Sequence, residues 1–109
     1  MDRILIIDDE EEICKIFQQI LNKEGYEVFT ATNGKAGVVL FKSVEGVKIV
    51  FLDIKMPEVD GIKALKLIKK INKEIPVVMI TGYGDLNTAK LAMKFGAIDY
   101  IAKPFNATS

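Results

Sequence analysis

The chain has 109 residues, 50% of them hydrophobic, and its 15 lysine and arginine residues balance 15 aspartate and glutamate residues. This length supports one compact core and is too short for two ordinary domains. A net charge of zero excludes an overall field that would draw the protein to nucleic acid or to an anionic membrane. Histidine is absent, which excludes an imidazole base, a histidine metal site and a histidine-based triad.

The amino-terminal residues predict neither a signal peptide nor a membrane span, because only four apolar residues separate Arg3 from Asp8. We therefore expect a cytoplasmic protein with no membrane contact. The single cysteine, Cys14, excludes an internal disulfide framework. Its position on an apolar helical stripe predicts a buried, inert thiol.

Short runs rich in Ile and Val alternate with segments of helical periodicity, which predicts five βα steps, the last of them incomplete. The predicted strands lie at residues 3–7, 26–30, 47–52, 76–80 and 99–102. The third and fourth are nearly continuous apolar runs, as expected when helices cover both faces of a parallel sheet. The sequence therefore predicts an α/β fold, a doubly wound three-layer sandwich.

Four helices are predicted between these strands, each with an apolar stripe at helical spacing. The residues expected to face the core are Ile13, Ile16, Phe17, Ile20 and Leu21, then Ala36, Val39, Leu40 and Val44, then Ile62, Leu65, Ile68 and Ile71. Asn33-Gly34 supplies a turn or cap before the second helix, and Gly25 ends the first. The fourth helix is predicted at about 85–95, before Gly96.

Polar side chains interrupt the apolar runs where the predicted strands end. Asp8 and Asp9 end the first strand, Asp53 the third, Thr81 the fourth and Lys103 the fifth. The carboxyl ends of parallel strands share one edge of the sheet, and open α/β sheets hold their ligands there. The sequence therefore predicts that these residues form one site.

Three carboxylates in one crevice repel one another, by about 4 kcal/mol per pair at about 4 Å if the effective dielectric constant is near 20. A cation is therefore expected between them, and oxygen ligands without histidine or thiolate favour a hard ion, Mg²⁺ or Mn²⁺. Asp53 is the natural nucleophile, whereas Asp8 and Asp9 are better placed to hold metal. Lys103 and the Thr81 hydroxyl are expected to contact the oxygens of a phosphoryl group on Asp53.

These residues resemble the receiver domain of bacterial two-component response regulators. The resemblance spans nearly the whole chain and rests on Asp8-Asp9, Leu52-Asp53 followed by Met56-Pro57 and Asp60-Gly61, Thr81-Gly82, and Lys103-Pro104-Phe105. It implies a flavodoxin-like, five-stranded parallel sheet of order 2-1-3-4-5. It also implies a signalling switch rather than an enzyme, which catalyses only its own phosphorylation and autodephosphorylation.

The resemblance further implies a role for each site residue. Asp53 would be the phosphoacceptor, and Asp9, Asp53 and the backbone carbonyl of Lys55 would bind Mg²⁺. Asp8 would act mainly through a metal-bound water, and Lys103 would hold a phosphoryl oxygen. The phosphoryl donor would be a sensor histidine kinase or a phosphotransfer protein, and the controlled output domain or protein is not identified by the sequence.

Two further pairs of residues acquire roles from the same resemblance. Thr81 and Tyr100 would be the switch pair, in which Thr81 swings toward the acyl phosphate and Tyr100 turns inward behind it. Without the resemblance, Tyr100 could equally be an aromatic residue at the edge of the core with its hydroxyl in water. Lys55 and Tyr83 match positions that tune the rate of hydrolysis. The bond between Lys103 and Pro104 is expected to be cis.

The chain departs from the family pattern at its end. The family has a fifth helix after the Lys103-Pro104-Phe105 motif, whereas this chain stops at residue 109. We therefore expect a receiver domain at residues 1–105 with a short tail at 106–109, and interpret the chain as a fragment. The surface left beside the first helix is expected to recruit a partner or a second copy, so that the isolated chain self-associates or is marginally stable.

Finer assignments rest on weaker patterns. The run 81–85 and Ala92-Met93-Lys94 resemble receivers that precede transcriptional activation ATPase domains, and more loosely a stand-alone phosphorelay regulator. The acidic run 10–12 is interpreted as a solvated first helical turn. The lysines of the third helix and the turn after it, Lys66, Lys69, Lys70 and Lys73, are interpreted as a solvated face, so no direct contact with nucleic acid is predicted.

Other functions on similar sheets are less well supported. Aspartyl phosphatases share a second Asp two residues after the nucleophile. In this chain that position is Lys55, so the phosphatase signature is missing. A flavodoxin would cradle phosphate in its first loop, where the acidic run 8–12 would repel it. A receiver fold used as a phosphorylation-independent interaction module stays open, because the fifth helix is missing.

Overall fold

We describe the protein from a computed structural model, in which residues 1–54, 61–82 and 86–102 are described. The elements are β1 (Arg3–Ile7), α1 (Glu11–Lys23), β2 (Glu27–Ala31), α2 (Gly34–Ser43), β3 (Val47–Asp53), α3 (Gly61–Ile71), β4 (Val77–Thr81), α4 (Leu86–Lys94) and β5 (Asp99–Ala102). The strands form one parallel sheet in the order β2-β1-β3-β4-β5. The predicted fold class and strand order are confirmed, and every strand end lies within one residue of its predicted position.

Apolar side chains cover both faces of the sheet, which makes the predicted three-layer sandwich. The larger core cluster joins the sheet to α2, α3 and α4 through residues such as Phe41, Leu65 and Ala92. The smaller cluster joins the opposite face to α1 through Cys14 and Phe17. All five residues of β4 are buried, as expected for an inner strand covered on both sides.

The buried face of α2 differs from the predicted one. Ala36 and Val39 are exposed and Val38 and Phe41 are buried, so the predicted core stripe was wrong at Ala36 and Val39. Leu40 packs against the larger core cluster, as predicted. Gly37 explains why α2 turns a different face toward the sheet, since a Cβ atom there would lie only 2.7 Å from Cγ1 of the Ile7 side chain. The missing side chain lets the helix backbone pack directly on β1, a close approach that a count of apolar residues does not register.

The apolar stripes of α1 and α3 are confirmed except at one residue in each. Ile20 and Ile71, predicted to face the core, are 55% and 44% exposed, whereas Leu21, the residue after Ile20, packs against the smaller core cluster as predicted. Gly25 and Gly96 follow α1 and α4 with φ of 93° and 109°. This left-handed conformation favours glycine, as the predicted helix stops require.

One lysine of α3 does not belong to a solvated face. The ammonium group of Lys69 donates hydrogen bonds to the carbonyls of Lys73 and Ile75, at 3.0 and 2.8 Å, and its side chain is half-buried. It thereby satisfies carbonyl groups in the turn between α3 and β4. Lys66 lies 4.2 Å from the ring centroid of Phe95, which connects α3 to the end of α4.

Within the described ranges, no helix has both the length and the apolar character needed to cross a membrane. The predicted tail at 106–109 and the predicted absence of a fifth helix lie outside the described residues.

Candidate functional site

The strand order brings three of the predicted polar residues to one edge of the sheet. Asp8 directly follows β1, Asp53 ends β3 and Thr81 ends β4, and these strands are neighbours in the sheet. In the described part of the chain these are also the buried polar residues, with exposures of 0%, 3% and 3%. Burying polar groups at the end of an apolar strand is costly unless they are satisfied, which points to a functional site.

The side chains of Asp8, Asp9 and Asp53 form a cluster that we call the acidic triad. Each offers a carboxylate oxygen, and these oxygens all lie within 4.8 Å of one another. At an effective dielectric constant of about 20 such a separation costs roughly 3 kcal/mol per pair, and less for pairs that include the exposed Asp9. The predicted convergence of the three carboxylates is therefore confirmed.

Backbone hydrogen bonds hold the two segments that carry the triad. The amide of Asp8 donates to the carbonyl of Ala31 at the end of β2, at 3.0 Å. Oδ1 of Asp8 accepts from the amide of Glu10, at 2.9 Å. The amide of Ile54, just after Asp53, donates to the carbonyl of Ile80, at 3.1 Å. Both segments are thus fixed by the ends of neighbouring strands.

The donor set fits a hard cation. The triad offers carboxylate oxygens only, and its mixture of buried and exposed members leaves one side of the cluster toward solvent. Mg²⁺ binds through a few carboxylates while it keeps several waters, so a partly open cluster of this kind suits it better than a closed cage. The adjacent acids Glu10, Glu11 and Glu12 are exposed and lie outside the cluster, as predicted for a solvated first turn of α1.

The predicted switch residues lie on neighbouring strands. The hydroxyl of Thr81 donates a hydrogen bond to the carbonyl of Ile101 on β5, at 3.4 Å. Tyr100, the preceding residue of β5, is 39% exposed and pairs in register with Met79 of β4. The structure therefore places Tyr100 at the surface, two strands away from Asp53, with β4 between their strands.

Several predicted site residues lie outside the described ranges. They are Lys55, Tyr83 and Lys103, together with the Lys103-Pro104 peptide bond. Their predicted roles in metal binding, rate tuning and phosphoryl contact stay predictions.

Sequence reasoning missed two residues that support the triad. Gly61 begins α3, and a Cβ atom there would overlap the carbonyl oxygen of Asp53 and the backbone of Ile54. Its amide donates to the carbonyl of Ile54 at 2.7 Å. The Asp60-Gly61 pair was visible as a motif, but only the structure shows what the glycine touches. Cys14 was predicted to be buried, which is confirmed at 4% exposure, but its contact with the loop that carries the triad was not predicted.

A five-stranded sheet of this order with an acidic triad at its carboxyl edge defines the class of two-component signalling receivers. A family model of the response regulator receiver domain matches residues 4–109. The chain belongs to this family. Receiver domains are signalling switches that bind Mg²⁺ at acidic residues and interact with histidine kinases or phosphotransfer proteins and with output domains.

Relatives of two architectures resemble the chain. Regulatory protein AtoC of Escherichia coli is 39% identical over 106 residues, which cover 97% of this chain but only 23% of that protein. Sporulation initiation phosphotransferase F of Bacillus subtilis is 38% identical over 105 residues, 96% of this chain and 84% of that protein. The chain therefore spans about a quarter of the long regulator and most of the short phosphotransferase.

Solved structures confirm the fold. A receiver domain protein from Clostridium thermocellum superposes with a TM-score of 0.91 at 39% identity, covering 99% of this chain and 86% of that one. The receiver domain of NtrX from Brucella abortus gives a TM-score of 0.89 at 40% identity, covering 96% and 88% of the two chains.

Proposed function

We propose that this receiver domain accepts a phosphoryl group on Asp53 with the help of a divalent metal bound at the acidic triad. The observation that carries the proposal is the position of Asp53, which is 3% exposed at the end of β3 and lies within 4.8 Å of two further carboxylates. A nucleophilic carboxylate needs positive charge nearby before it can approach an anionic phosphoryl group. Because the three carboxylates of the triad repel one another, they favour a bound cation that supplies this charge.

In this proposal each residue of the site has its own role in metal binding or phosphoryl transfer. Asp8, Asp9 and Asp53, with the backbone carbonyl of Lys55, would hold Mg²⁺ or Mn²⁺, Asp8 mainly through a water. When bound, the ion supplies positive charge that offsets the repulsion among the carboxylates and the phosphoryl oxygens. An oxygen of Asp53 forms the new bond to phosphorus while the bond from phosphorus to the donor breaks. Lys103 would hold a phosphoryl oxygen.

A phosphohistidine donor would lie outside these 109 residues. They contain no histidine, so a sensor histidine kinase or a phosphotransfer protein would supply the phosphoryl group. The same proposal includes a cytoplasmic location, a role for Lys55 and Tyr83 in setting the rate of autodephosphorylation, and an output domain or protein controlled through Thr81 and Tyr100. Self-association through the surface beside α1 also stays part of the proposal.

Intact mass spectrometry after incubation with acetyl phosphate tests the proposal. We expect the wild-type chain to gain one phosphoryl group when Mg²⁺ is present and none when it is chelated, whereas Asp53→Asn should gain none in either case. Glu12→Gln is a matched control, because it also removes one acidic charge close to the site but alters an exposed residue outside the triad. A folded wild-type sample that gains no mass would instead favour the phosphorylation-independent interaction module.

A further inference from the structure

The thiol of Cys14 lies directly beneath the loop that carries Asp8 and Asp9. Cys14 is in the first turns of α1 and is 4% exposed within the smaller core cluster. Apolar packing explains why a small side chain is buried there. It does not explain the polar contacts that the sulfur makes.

Those contacts connect the ends of two strands. Sγ of Cys14 donates to the backbone carbonyl of Asp8 at 3.5 Å and lies 3.9 Å from the carbonyl of Ala31. The same Ala31 carbonyl accepts the amide of Asp8 at 3.0 Å. The thiol therefore lies where β1 and β2 both end, at the residue from which the chain enters the acidic triad.

Cys14 also contacts the far end of the loop formed by Asp8, Asp9 and Glu10. The amide of Cys14 donates to the carbonyl of Glu10, and the amide of Glu10 donates to Oδ1 of Asp8. Cys14 thus holds the loop at its first residue through the thiol and at its third through the backbone. Because Asp8 and Asp9 are consecutive, a rotation of the backbone at Asp8 would move both carboxylates.

We propose that Cys14 is a positioning residue for the metal site, whose thiol fixes the backbone of Asp8 and so sets the geometry of the acidic triad. This inference rests on the proposed binding of a divalent metal. Mg²⁺ demands nearly ideal octahedral geometry at short metal to oxygen distances. Residues that orient the ligands of a metal therefore affect its affinity although they do not touch the ion.

Two substitutions of Cys14 separate the hydrogen bond from the packing. Cys14→Ala removes the donor, and Cys14→Ser keeps a donor in nearly the same place. Val28→Ala is the matched control, because Val28 is buried in the same cluster and its truncation also leaves a small cavity. Urea unfolding identifies the folded variants before any titration.

Isothermal titration of each folded variant with Mg²⁺ alone is the test. We expect Cys14→Ala to weaken Mg²⁺ binding by about 3-fold to 10-fold, as the loss of one orienting hydrogen bond does. Cys14→Ser and Val28→Ala should bind within about 2-fold of wild type, within the energy of a weak hydrogen bond.

Other outcomes overturn the inference. Unchanged affinity in Cys14→Ala would show that the thiol does not position the triad, and equal weakening in Val28→Ala would assign the effect to core packing. If Cys14→Ser does not fold, the comparison of Cys14→Ala with Val28→Ala decides alone. A wild-type chain that binds no Mg²⁺ would instead refute the metal step of the proposed function, and the positioning role with it.

Discussion

The hydroxyl of Thr81 donates a hydrogen bond to the backbone carbonyl of Ile101, at 3.4 Å, across the last two strands of the sheet. Thr81 is 3% exposed and ends β4, while Ile101 follows Tyr100 on β5. A Thr81 hydroxyl that turned toward a phosphoryl group on Asp53 would release this carbonyl. If Thr81 contacts the phosphoryl group as proposed, this bond connects phosphorylation to the strand that carries Tyr100.

Removing the Thr81 hydroxyl should allow phosphorylation but abolish the structural change that phosphorylation causes in β5. We expect Thr81→Ala to be phosphorylated by acetyl phosphate within about 10-fold of the wild-type rate, since the loss of one hydrogen bond to the transferred group costs about 1 kcal/mol. The change in the backbone amide signal of Tyr100 on phosphorylation, followed by two-dimensional NMR, should be lost. Thr81→Ser keeps the hydroxyl and should retain the change. Equal changes in all three phosphorylated proteins would exclude this coupling.

The sequence predicted where Thr81 lies but not what its hydroxyl contacts. Strand ends follow from apolar runs and the turns between them, and parallel connectivity then brings Asp8, Asp53 and Thr81 to one edge. The rotamer of a buried hydroxyl depends instead on the carbonyl groups that a neighbouring strand presents. The Ile101 carbonyl comes from a strand 20 residues later, so no local pattern indicates it.

The face of α2 shows a similar limit. Apolar spacing predicted that Val39 faces the core, but Val39 is 56% exposed. The absence of a side chain at Gly37 decided the packing, and hydrophobic periodicity counts only the side chains that are present. The contact made by Gly61 was not predicted for the same reason, although Gly61 lies against the backbone of Asp53 and Ile54.

Adding a methyl group at Gly37 should overpack the interface between α2 and β1. A Cβ atom there would lie 2.7 Å from Cγ1 of Ile7 and 2.9 Å from its Cγ2. We expect Gly37→Ala to lower the free energy of unfolding by about 1 to 3 kcal/mol, although alanine is the better helix former. Urea unfolding measures the loss.

A second substitution tests whether Ile7 is the cause. Ile7→Val removes Cδ1, the atom nearest to the added methyl, and should restore part of the stability lost in Gly37→Ala. The double variant should therefore be more stable than the sum of the two single effects, a coupling of about 0.5 kcal/mol or more. Additive losses would show that the helix shifts away from β1 as a whole.

Gly61→Ala should be more damaging, because the obstruction is backbone rather than the end of a side chain. The added Cβ would overlap the Asp53 carbonyl and would lie 2.5 Å from the Ile54 carbonyl oxygen. We expect a loss of about 3 kcal/mol or more in urea unfolding. The folded fraction should also bind Mg²⁺ more weakly, since the added Cβ presses on the backbone of Asp53.

The control for Gly61 is another glycine that faces open space. Gly46 has a φ of 74° with nothing within 4 Å of an added Cβ. Gly46→Ala should therefore cost only the strain of a left-handed backbone, about 1 to 2 kcal/mol, and leave Mg²⁺ binding unchanged. A Gly61→Ala variant as stable as wild type would mean that α3 begins farther from β3 than the structure places it.

Neutralising Asp9 should stabilise the metal-free protein and weaken its response to Mg²⁺. Without metal, the three carboxylates of the triad repel one another within 4.8 Å, and Asp9 is the exposed member. We expect Asp9→Asn to raise the free energy of unfolding by roughly 1 kcal/mol at low salt, a value reduced by solvent screening and smaller still at high salt. Urea unfolding in a chelator measures it.

Saturating Mg²⁺ should reverse this order of stability. A ligand that binds only the folded state stabilises it by RT ln(1 + [L]/Kd), and the wild-type triad has one more anionic ligand than Asp9→Asn. Wild type should therefore gain stability as Mg²⁺ rises while Asp9→Asn gains much less, and Glu12→Gln should follow wild type throughout because Glu12 lies outside the triad. If Asp9→Asn were less stable than wild type in the chelator, repulsion within the triad would be too small to matter, and equal gains with Mg²⁺ would remove Asp9 from the ligand set.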